Sequence, residues 1–143
     1  MNILVTGNLG YIGSVLVPLL QSKGHQVVGL DSAYFKDCLL SPVSENFEQI
    51  TKDIRDVVSL DLEGVDAVIH LAGLSNDPLG EFSPRLTEDI NYNGTMKLAE
   101  LARKAGVSRF VYASSQSMYG ISDPSKELDE DDSEKNPVTA YAI

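Results

Sequence analysis

Short apolar runs alternate along the chain with segments whose apolar positions recur at helical spacing. Several of the runs are apolar throughout and rich in valine and isoleucine, as strands are in a parallel sheet that is covered on both faces. We predict five strands, at about 2–6, 26–31, 47–51, 65–71 and 109–114. Because strands that alternate with helices are joined by right-handed crossovers, we expect a doubly wound α/β fold with a parallel sheet in the order 3-2-1-4-5.

Two of the intervening segments carry the end signals of helices. The first runs from about 11 to 23 and stops at Gly24, and the second runs from about 84 to 105 and stops at Gly106. Sheets of this kind bind ligands at the carboxyl ends of their strands, beside the point where the strand order reverses. The residues that follow each strand are therefore the candidates for a site.

Three glycines, Gly7, Gly10 and Gly13, connect the first strand to the first helix. Glycine lets the backbone turn sharply and approach a ligand with no Cβ in between. The free N–H groups at a helix N-terminus can bind a pyrophosphate, and an acid, Asp31, follows Gly13 by eighteen residues. This order of strand, glycine turn, helix and acid predicts a dinucleotide-binding, Rossmann-type unit. The alternative is a tight turn that serves helix packing only.

Two carboxylates follow the second and third strands. Asp31 ends the second strand, where a carboxylate can accept both hydroxyls of the adenosine ribose and would repel a 2′-phosphate. Since no arginine lies nearby in the sequence to bind that phosphate, we predict NAD rather than NADP as the cofactor. Asp53 follows the third strand and could accept a hydrogen bond from the exocyclic amine of adenine. For both residues the alternative is an acid that shapes a turn.

Hydroxyl groups cluster after the fifth strand, in YASSQSMYG at 112–120, and Tyr141 follows an acidic stretch. A serine and a tyrosine can together hold a substrate hydroxyl, the serine as donor and the tyrosine as base. Ordinary turn serines fit the spacing equally well. His70 lies within the apolar fourth strand, and we interpret it as a core histidine with a satisfied ring nitrogen rather than a catalytic group.

Composition excludes several classes of partner. The chain has 143 residues, one domain by length, and a net charge of −10, which argues against nucleic acid or an anionic membrane as a partner. One cysteine, Cys38, and two distant histidines give no metal-ligand spacing, so we expect no metal site. No apolar stretch reaches the roughly 20 residues that span a bilayer, and a strand rather than a signal peptide opens the chain, so we expect a cytoplasmic protein.

Seven motifs follow one another along essentially the whole chain. They are TGNLGYIG at 6–13, Asp31, DIRD at 53–56, HLAG at 70–73, NYNGT at 91–95, YASSQSMYG at 112–120 and PVTAY at 137–141. In these motifs and in their order, the chain resembles the extended short-chain dehydrogenase/reductases. The resemblance is closest to the NAD-dependent epimerases and dehydratases of nucleotide sugars.

The resemblance implies that twelve residues bind NAD. It places the glycines and their neighbours at the pyrophosphate, Asp31 at the ribose, 53–54 at the adenine and 71–73 along the cofactor groove. The twelve residues are Gly7, Leu9, Gly10, Tyr11, Ile12, Gly13, Asp31, Asp53, Ile54, Leu71, Ala72 and Gly73.

For catalysis the resemblance implies three residues. Ser115 corresponds to the catalytic serine or threonine, Tyr141 to the catalytic tyrosine, and Asn91 to the helix asparagine that supports the active site. In the family's reaction the tyrosine takes a proton from a sugar hydroxyl while a hydride moves to the nicotinamide. The implied substrate of the whole enzyme is a nucleotide sugar.

One part of the family pattern lies outside this sequence. The family motif is Tyr-x-x-x-Lys, and only Ala142 and Ile143 follow Tyr141 here. We therefore expect residues 1–143 to form the NAD-binding domain of a longer enzyme, without its last strands and substrate-binding region, and to be inactive alone. We also expect a homodimer or self-association through the edge of the fifth strand. The alternative functions are a non-catalytic NAD-binding sensor or scaffold and a reductase of a non-sugar carbonyl.

Overall fold

The computed structural model describes residues 1–38, 47–123, 125–131 and 133–143. Within that part of the chain, the strands are β1 (Asn2–Thr6), β2 (Gln26–Asp31), β3 (Glu48–Thr51), β4 (Ala67–His70) and β5 (Arg109–Tyr112). The α-helices are α1 (Tyr11–Ser22), α2 (Asp77–Phe82), α3 (Pro84–Thr87) and α4 (Thr95–Ala105). A π-helical segment, Glu88–Gly94, joins α3 to α4, and 3₁₀ turns lie at Lys36–Cys38, Ile54–Asp56, Ser59–Leu62 and Gln116–Tyr119.

The five strands form one parallel sheet in the order β3-β2-β1-β4-β5, which confirms the predicted order. β1 lies at the centre, where Val5 pairs with Gly29 of β2 on one side and with Ile69 of β4 on the other. β1 and β2 have the predicted bounds, whereas β3, β4 and β5 are shorter than predicted. The prediction for β4 extended too far at its end because the apolar Leu71, which follows the strand, packs against the Val5 cluster as a strand residue would.

Two hydrophobic clusters cover the two faces of the sheet. Alternate residues of β1 divide between them, with Leu4 in one cluster and Val5 in the other. The Leu4 cluster packs against α4 through Leu98, which is fully buried, and the Val5 cluster packs against α1 through Val17. Burying a leucine or valine side chain stabilises the fold by roughly 1.5–3 kcal/mol, so these layers hold the strand ends in fixed positions.

The predicted helix over 84–105 has the right extent but a different interior. Its middle is the π-helical segment Glu88–Gly94, which no periodicity of the sequence signals. The helix ends as predicted at Gly106, which has a left-handed φ of +79°. Helix α2 was not predicted at all. Its end signals are nevertheless present, since Asn76 caps it by accepting a hydrogen bond of 2.9 Å from Leu79 N–H, and Pro78 lies in its first turn.

β5 is an outer strand of the sheet in the described part of the chain, and its side chains are only partly covered. Val111 is 54% exposed and Tyr112 52% exposed. Apolar residues of α1, including Val15 and Leu19, are exposed as well. Self-association through the edge of β5 stays a prediction. Among the described residues, no helix is long and apolar enough to cross a membrane.

Candidate functional site

A cleft of about 990 Å³ runs along the carboxyl ends of the strands, where doubly wound sheets place their ligands. All twelve residues that the resemblance assigns to the cofactor line it, and so do Ser115 and Tyr141. Asn91 is not among the lining residues, although its neighbour Ile90 is. The fold therefore brings together at one cleft residues that are spread from position 7 to position 141.

The glycine turn is shaped by direct backbone contact. Gly7 has a left-handed φ of +70°, donates its N–H to the carbonyl of Leu30 at 2.8 Å and accepts from Gly10 N–H at 3.0 Å. A Cβ on Gly7 would lie 2.7 Å from the backbone nitrogen of Ala72, closer than atoms can approach. The loops after β1 and β4 thus touch through their main chains, which requires glycine at position 7.

The N-terminus of α1 is open toward the cleft. Gly10 is its N-cap, with no side-chain cap, and the first turn contains no acidic residue. A Cβ on Gly13 would lie 2.5 Å from the carbonyl oxygen of Gly7, so this glycine lets the helix pack on the turn. Main-chain N–H groups at such an end are free to bind an anion, and the helix dipole favours negative charge there.

A pair of side-chain amides beneath the glycine turn was missed by the sequence analysis. Asn8 is 2% exposed and donates from Nδ2 to Oε1 of Gln49 at 2.7 Å, while Gln49 returns a longer contact of 3.4 Å. Gly29 makes room for the pair, since a Cβ there would lie 2.7 Å from Gln49 Oε1. The pair ties the turn to β3. A glycine inside an apolar strand was the one available signal.

Asp31 links the end of β2 to the glycine turn. Its carboxylate accepts from Leu9 N–H at 3.1 Å and from Ala33 N–H at 2.8 Å, and Ala33 has a left-handed φ of +59°. A carboxylate has about four acceptor positions, so two remain for a ligand in the cleft that Asp31 lines.

Asp53 is held by an arginine two residues later. Its carboxylate accepts from the backbone N–H, Nε and Nη2 of Arg55 at 2.9, 3.0 and 2.8 Å, and Arg55 also donates to Asp89 at 3.1 Å. The hydrogen bonds from the Arg55 side chain lower the pKa of Asp53, and the two carboxylates raise the pKa of Arg55. The carboxylate is therefore a fixed, ionised acceptor in the wall of the cleft.

His70 is fully buried and bonded through both ring nitrogens. Nδ1 lies 2.6 Å from Oγ1 of Thr6, and Nε2 lies 2.7 Å from Oγ1 of Thr95. Burial lowers the pKa of His70 to about 4. The ring also lies against Phe110 and Tyr112, with centroid separations of 6.1 and 5.7 Å. The interpretation of His70 as a core histidine is confirmed, and it is not among the residues that line the cleft.

Asn91, in the π-helical segment, binds the loop that follows β4. Its Oδ1 accepts from Leu74 N–H at 2.8 Å and its Nδ2 donates to the Leu74 carbonyl at 3.1 Å. Its Oδ1 also lies 3.1 Å from where a Cβ on Gly73 would be. The side chain therefore fixes the position of a loop that forms one wall of the cleft.

Ser115 and Tyr141 reach the cleft from different segments. Ser115 caps the 3₁₀ turn Gln116–Tyr119, accepting from Ser117 N–H at 3.1 Å. The segment before Tyr141 is docked on α2, where Thr139 Oγ1 donates to Asp77 at 2.7 Å and Ala140 N–H donates to Glu81 at 2.9 Å. Because α2 was not predicted, these anchors of the tyrosine segment were missed.

Comparison with known proteins identifies the family to which this chain belongs. Residues 3–143 match the NAD dependent epimerase/dehydratase family. The chain belongs to this family. Its members are NAD-dependent, so NAD is the cofactor.

Two curated relatives show how much of a family member the chain represents. It is 37% identical to UDP-glucose 4-epimerase of Mycolicibacterium smegmatis, over 99% of this chain and 47% of that relative. It is 36% identical to UDP-glucose 4-epimerase of Klebsiella pneumoniae, over 84% of this chain and 93% of that shorter relative. The chain thus spans about half the length of the first relative.

Solved structures of family members superpose closely on the chain. UDP-glucose 4-epimerase of Thermus thermophilus, in complex with NAD, has a TM-score of 0.86 and 29% identity, over 99% of this chain and 46% of that one. The enzyme of Stenotrophomonas maltophila, with bound NAD and formylated UDP-arabinopyranose, has a TM-score of 0.84 and 29% identity, over 99% of this chain and 44% of that one.

We expect Gly7→Ala to destabilise the domain more than Gly24→Ala. Both glycines have a left-handed φ, +70° and +79°, so both substitutions carry the strain of placing an alanine there. A Cβ on Gly24 would meet open space, whereas a Cβ on Gly7 would overlap the backbone of Ala72. Urea denaturation should therefore give Gly7→Ala an additional loss of about 1–3 kcal/mol. Equal losses for the two variants would contradict the close backbone contact.

We expect the buried His70 to make the domain less stable as the pH falls from 6.5 toward 4. The unfolded histidine takes up a proton with its ordinary pKa, but the folded one resists protonation until a pKa of about 4, so unfolding binds a proton in this range. The loss at pH 5 relative to pH 7.5 is about 2 kcal/mol. His70→Gln should lack this part of the pH dependence, measured by denaturant unfolding at both pH values. Carboxylates such as Asp53 contribute equally to the pH dependence of stability in both proteins. Identical pH profiles would therefore refute the claim that His70 causes this part of the pH dependence.

Proposed function

We propose that this chain is the NAD-binding part of a nucleotide-sugar epimerase or dehydratase. The observation that supports this most directly is that the open N-terminus of α1 and the carboxylate of Asp31 line one cleft at the strand ends. The first suits a pyrophosphate and the second suits a ribose without a 2′-phosphate. When bound, NAD supplies a hydride acceptor and donor at its nicotinamide ring.

The residues of the cleft fit the pyrophosphate, the ribose and the adenine of the cofactor. Gly7, Gly10 and Gly13 let the turn pack closely on its neighbours, and the main-chain amides at the start of α1 are left facing the cleft. Asp31 has acceptor positions left for the ribose, and Asp53, oriented by Arg55, would accept from the adenine amine. In this proposal the loop at 71–74 forms the opposite wall, against which the rest of the cofactor lies.

Ser115 and Tyr141 carry the chemistry in this proposal. Tyr141 would take a proton from a sugar hydroxyl, and Ser115 would hold that hydroxyl by a hydrogen bond. Their presence at the cofactor cleft supports an enzyme over a non-catalytic NAD sensor, which has no need of either group. The relatives are UDP-sugar enzymes, which supports a nucleotide sugar as the substrate of the whole protein.

We expect the chain to bind NAD at least tenfold more tightly than NADP, because the carboxylate of Asp31 would repel the 2′-phosphate. Asp31→Asn should weaken NAD binding about tenfold, since charged hydrogen bonds are worth roughly 1.5–3 kcal/mol. It should also reduce the ratio of NAD affinity to NADP affinity. Calorimetric titration with both dinucleotides measures this. Asp37→Asn is the matched control because Asp37 is exposed, lies outside the cleft lining and removes the same charge. Equal affinity of the unmodified chain for both dinucleotides would contradict the proposal.

We expect the purified chain to bind NAD but not to interconvert UDP-glucose and UDP-galactose at a steady rate. A free tyrosine has a pKa of about 10, so at pH 7 about one phenol in a thousand is ionised. The lysine of the family motif lowers that barrier and is not among these 143 residues, and its absence leaves a barrier higher by up to about 4 kcal/mol.

Chromatography of the nucleotide sugars measures this turnover, with the Mycolicibacterium smegmatis relative as the positive control. The matched variant is Tyr141→Phe, which removes only the hydroxyl. Sustained turnover by the chain that disappears in Tyr141→Phe would show that the chain is active by itself, contrary to this expectation.

A further inference from the structure

Thr6, His70 and Thr95 form a buried chain of hydrogen bonds between β1, β4 and α4. We propose that each hydrogen bond in this chain, here called the threonine–histidine relay, has one fixed donor and one fixed acceptor. We further propose that the relay positions residues 71–74, here called the groove loop. Since the groove loop is one wall of the proposed NAD cleft, the functional part of this inference rests on the proposed function. His70 is in this sense a positioning residue.

The direction of the relay follows from counting hydrogens. Thr95 Oγ1 donates its single hydrogen to the backbone carbonyl of Asn91, so it can only accept from His70. Nε2 of His70 therefore carries the ring hydrogen. In a neutral imidazole Nδ1 is then an acceptor, and Thr6 Oγ1 must donate to it. Burial keeps the ring neutral by lowering the pKa of His70 to about 4.

Both ends of the relay reach the groove loop. At one end, Thr6 Oγ1 donates its hydrogen to His70 and accepts a hydrogen bond from Ala72 N–H at 3.3 Å. At the other end, Thr95 holds the backbone of Asn91, and the Asn91 side chain binds both the N–H and the carbonyl of Leu74. The groove loop is thus held at position 72 from β1 and at position 74 from the π-helical segment.

This placement matters to a ligand because the groove loop touches the glycine turn. The backbone nitrogen of Ala72 lies 2.7 Å from the position of a Cβ on Gly7, so movement of Ala72 changes the space beside the turn. Leu71, Ala72 and Gly73 themselves line the cleft. A relay that fixes Ala72 and Leu74 therefore sets the width of the cleft beside α1. A histidine that only filled the core would have no such effect.

The test removes one hydroxyl from the relay. Thr95→Val has nearly the same shape but leaves Nε2–H without its acceptor and removes the hydroxyl that donates to the Asn91 carbonyl. In the absence of NAD, we expect the Leu74 amide of Thr95→Val to exchange its hydrogen about tenfold faster than the loss of global stability alone would explain. We also expect the affinity for NAD to fall about tenfold. Thr95→Ser keeps the hydroxyl and should retain the affinity and the exchange rate of the unmodified chain.

Thr87→Val is the matched control for lost stability. Thr87 is also fully buried, on the same run of helix, but its single hydroxyl hydrogen is shared between the carbonyls of Gly80 and Ser83, outside the relay. Thr87→Val should lower the global stability of the domain. Hydrogen exchange at the Leu74 amide should then become faster only by the amount that this loss of global stability explains. If Thr95→Val behaves like Thr87→Val, the relay does not position the groove loop and the inference is wrong.

A measurement on the unmodified chain covers the case in which Thr95→Val fails to fold. Long-range ¹H–¹⁵N NMR correlations of the imidazole should show the hydrogen of His70 on Nε2, and a hydrogen on Nδ1 would overturn the relay. If the unmodified chain binds no NAD, the proposed function fails, while the tautomer and the Leu74 exchange still decide the relay. If it binds NAD and Thr95→Val loosens Leu74 without weakening NAD binding, the relay's role toward the cofactor is refuted.

Discussion

The direct contact between two backbone turns constrains the rest of this domain. The turn after β1 and the turn after β4 approach so closely that no side chain fits between Gly7 and Ala72. The strand spacing of the parallel sheet sets the distance between the two turns, and the buried layers on both faces hold that spacing. The cleft, the open helix end and the wall formed by the groove loop are all consequences of where these two turns lie.

The features that could be predicted from the sequence are those that each depend on one stretch of chain. Apolar runs indicated the five strands and their order, and the glycine turn with Asp31 indicated the cofactor side of the cleft. Helix α2 was missed although its cap, Asn76, is local, but two other missed features need a partner far along the chain. The π-helical segment is bound through Asn91 to a residue 17 positions earlier, and Asn8 pairs with an amide 41 positions later. No local pattern reports such pairs, because their free energy comes from contacts that exist only in the folded domain.

The groups in the cleft that can attract an anion are main-chain amides rather than basic side chains. Among the described residues that line it, Lys52 carries the basic side chain, and its ammonium group is bound to Asp61 at 2.7 Å. Asp31 and Asp53 add negative charge to the same cleft, and the chain as a whole has a net charge of −10. An anionic ligand is therefore met by the amides at the start of α1, which are fixed before binding and need no flexible side chain to be ordered.

The sheet order also has a consequence for synthesis on the ribosome. β1 is the first of these five strands to be made but lies at the centre, and its partner residues in β4 follow 64 positions later. At 5–20 residues per second, the nascent chain holds β1 with one edge open for roughly 3–13 s. α1 and β2 emerge in time to cover the Val5 side, whereas Leu4 waits for Leu98 of α4. The newly made chain is thus most exposed to wrong pairing between the emergence of β2 and that of β4.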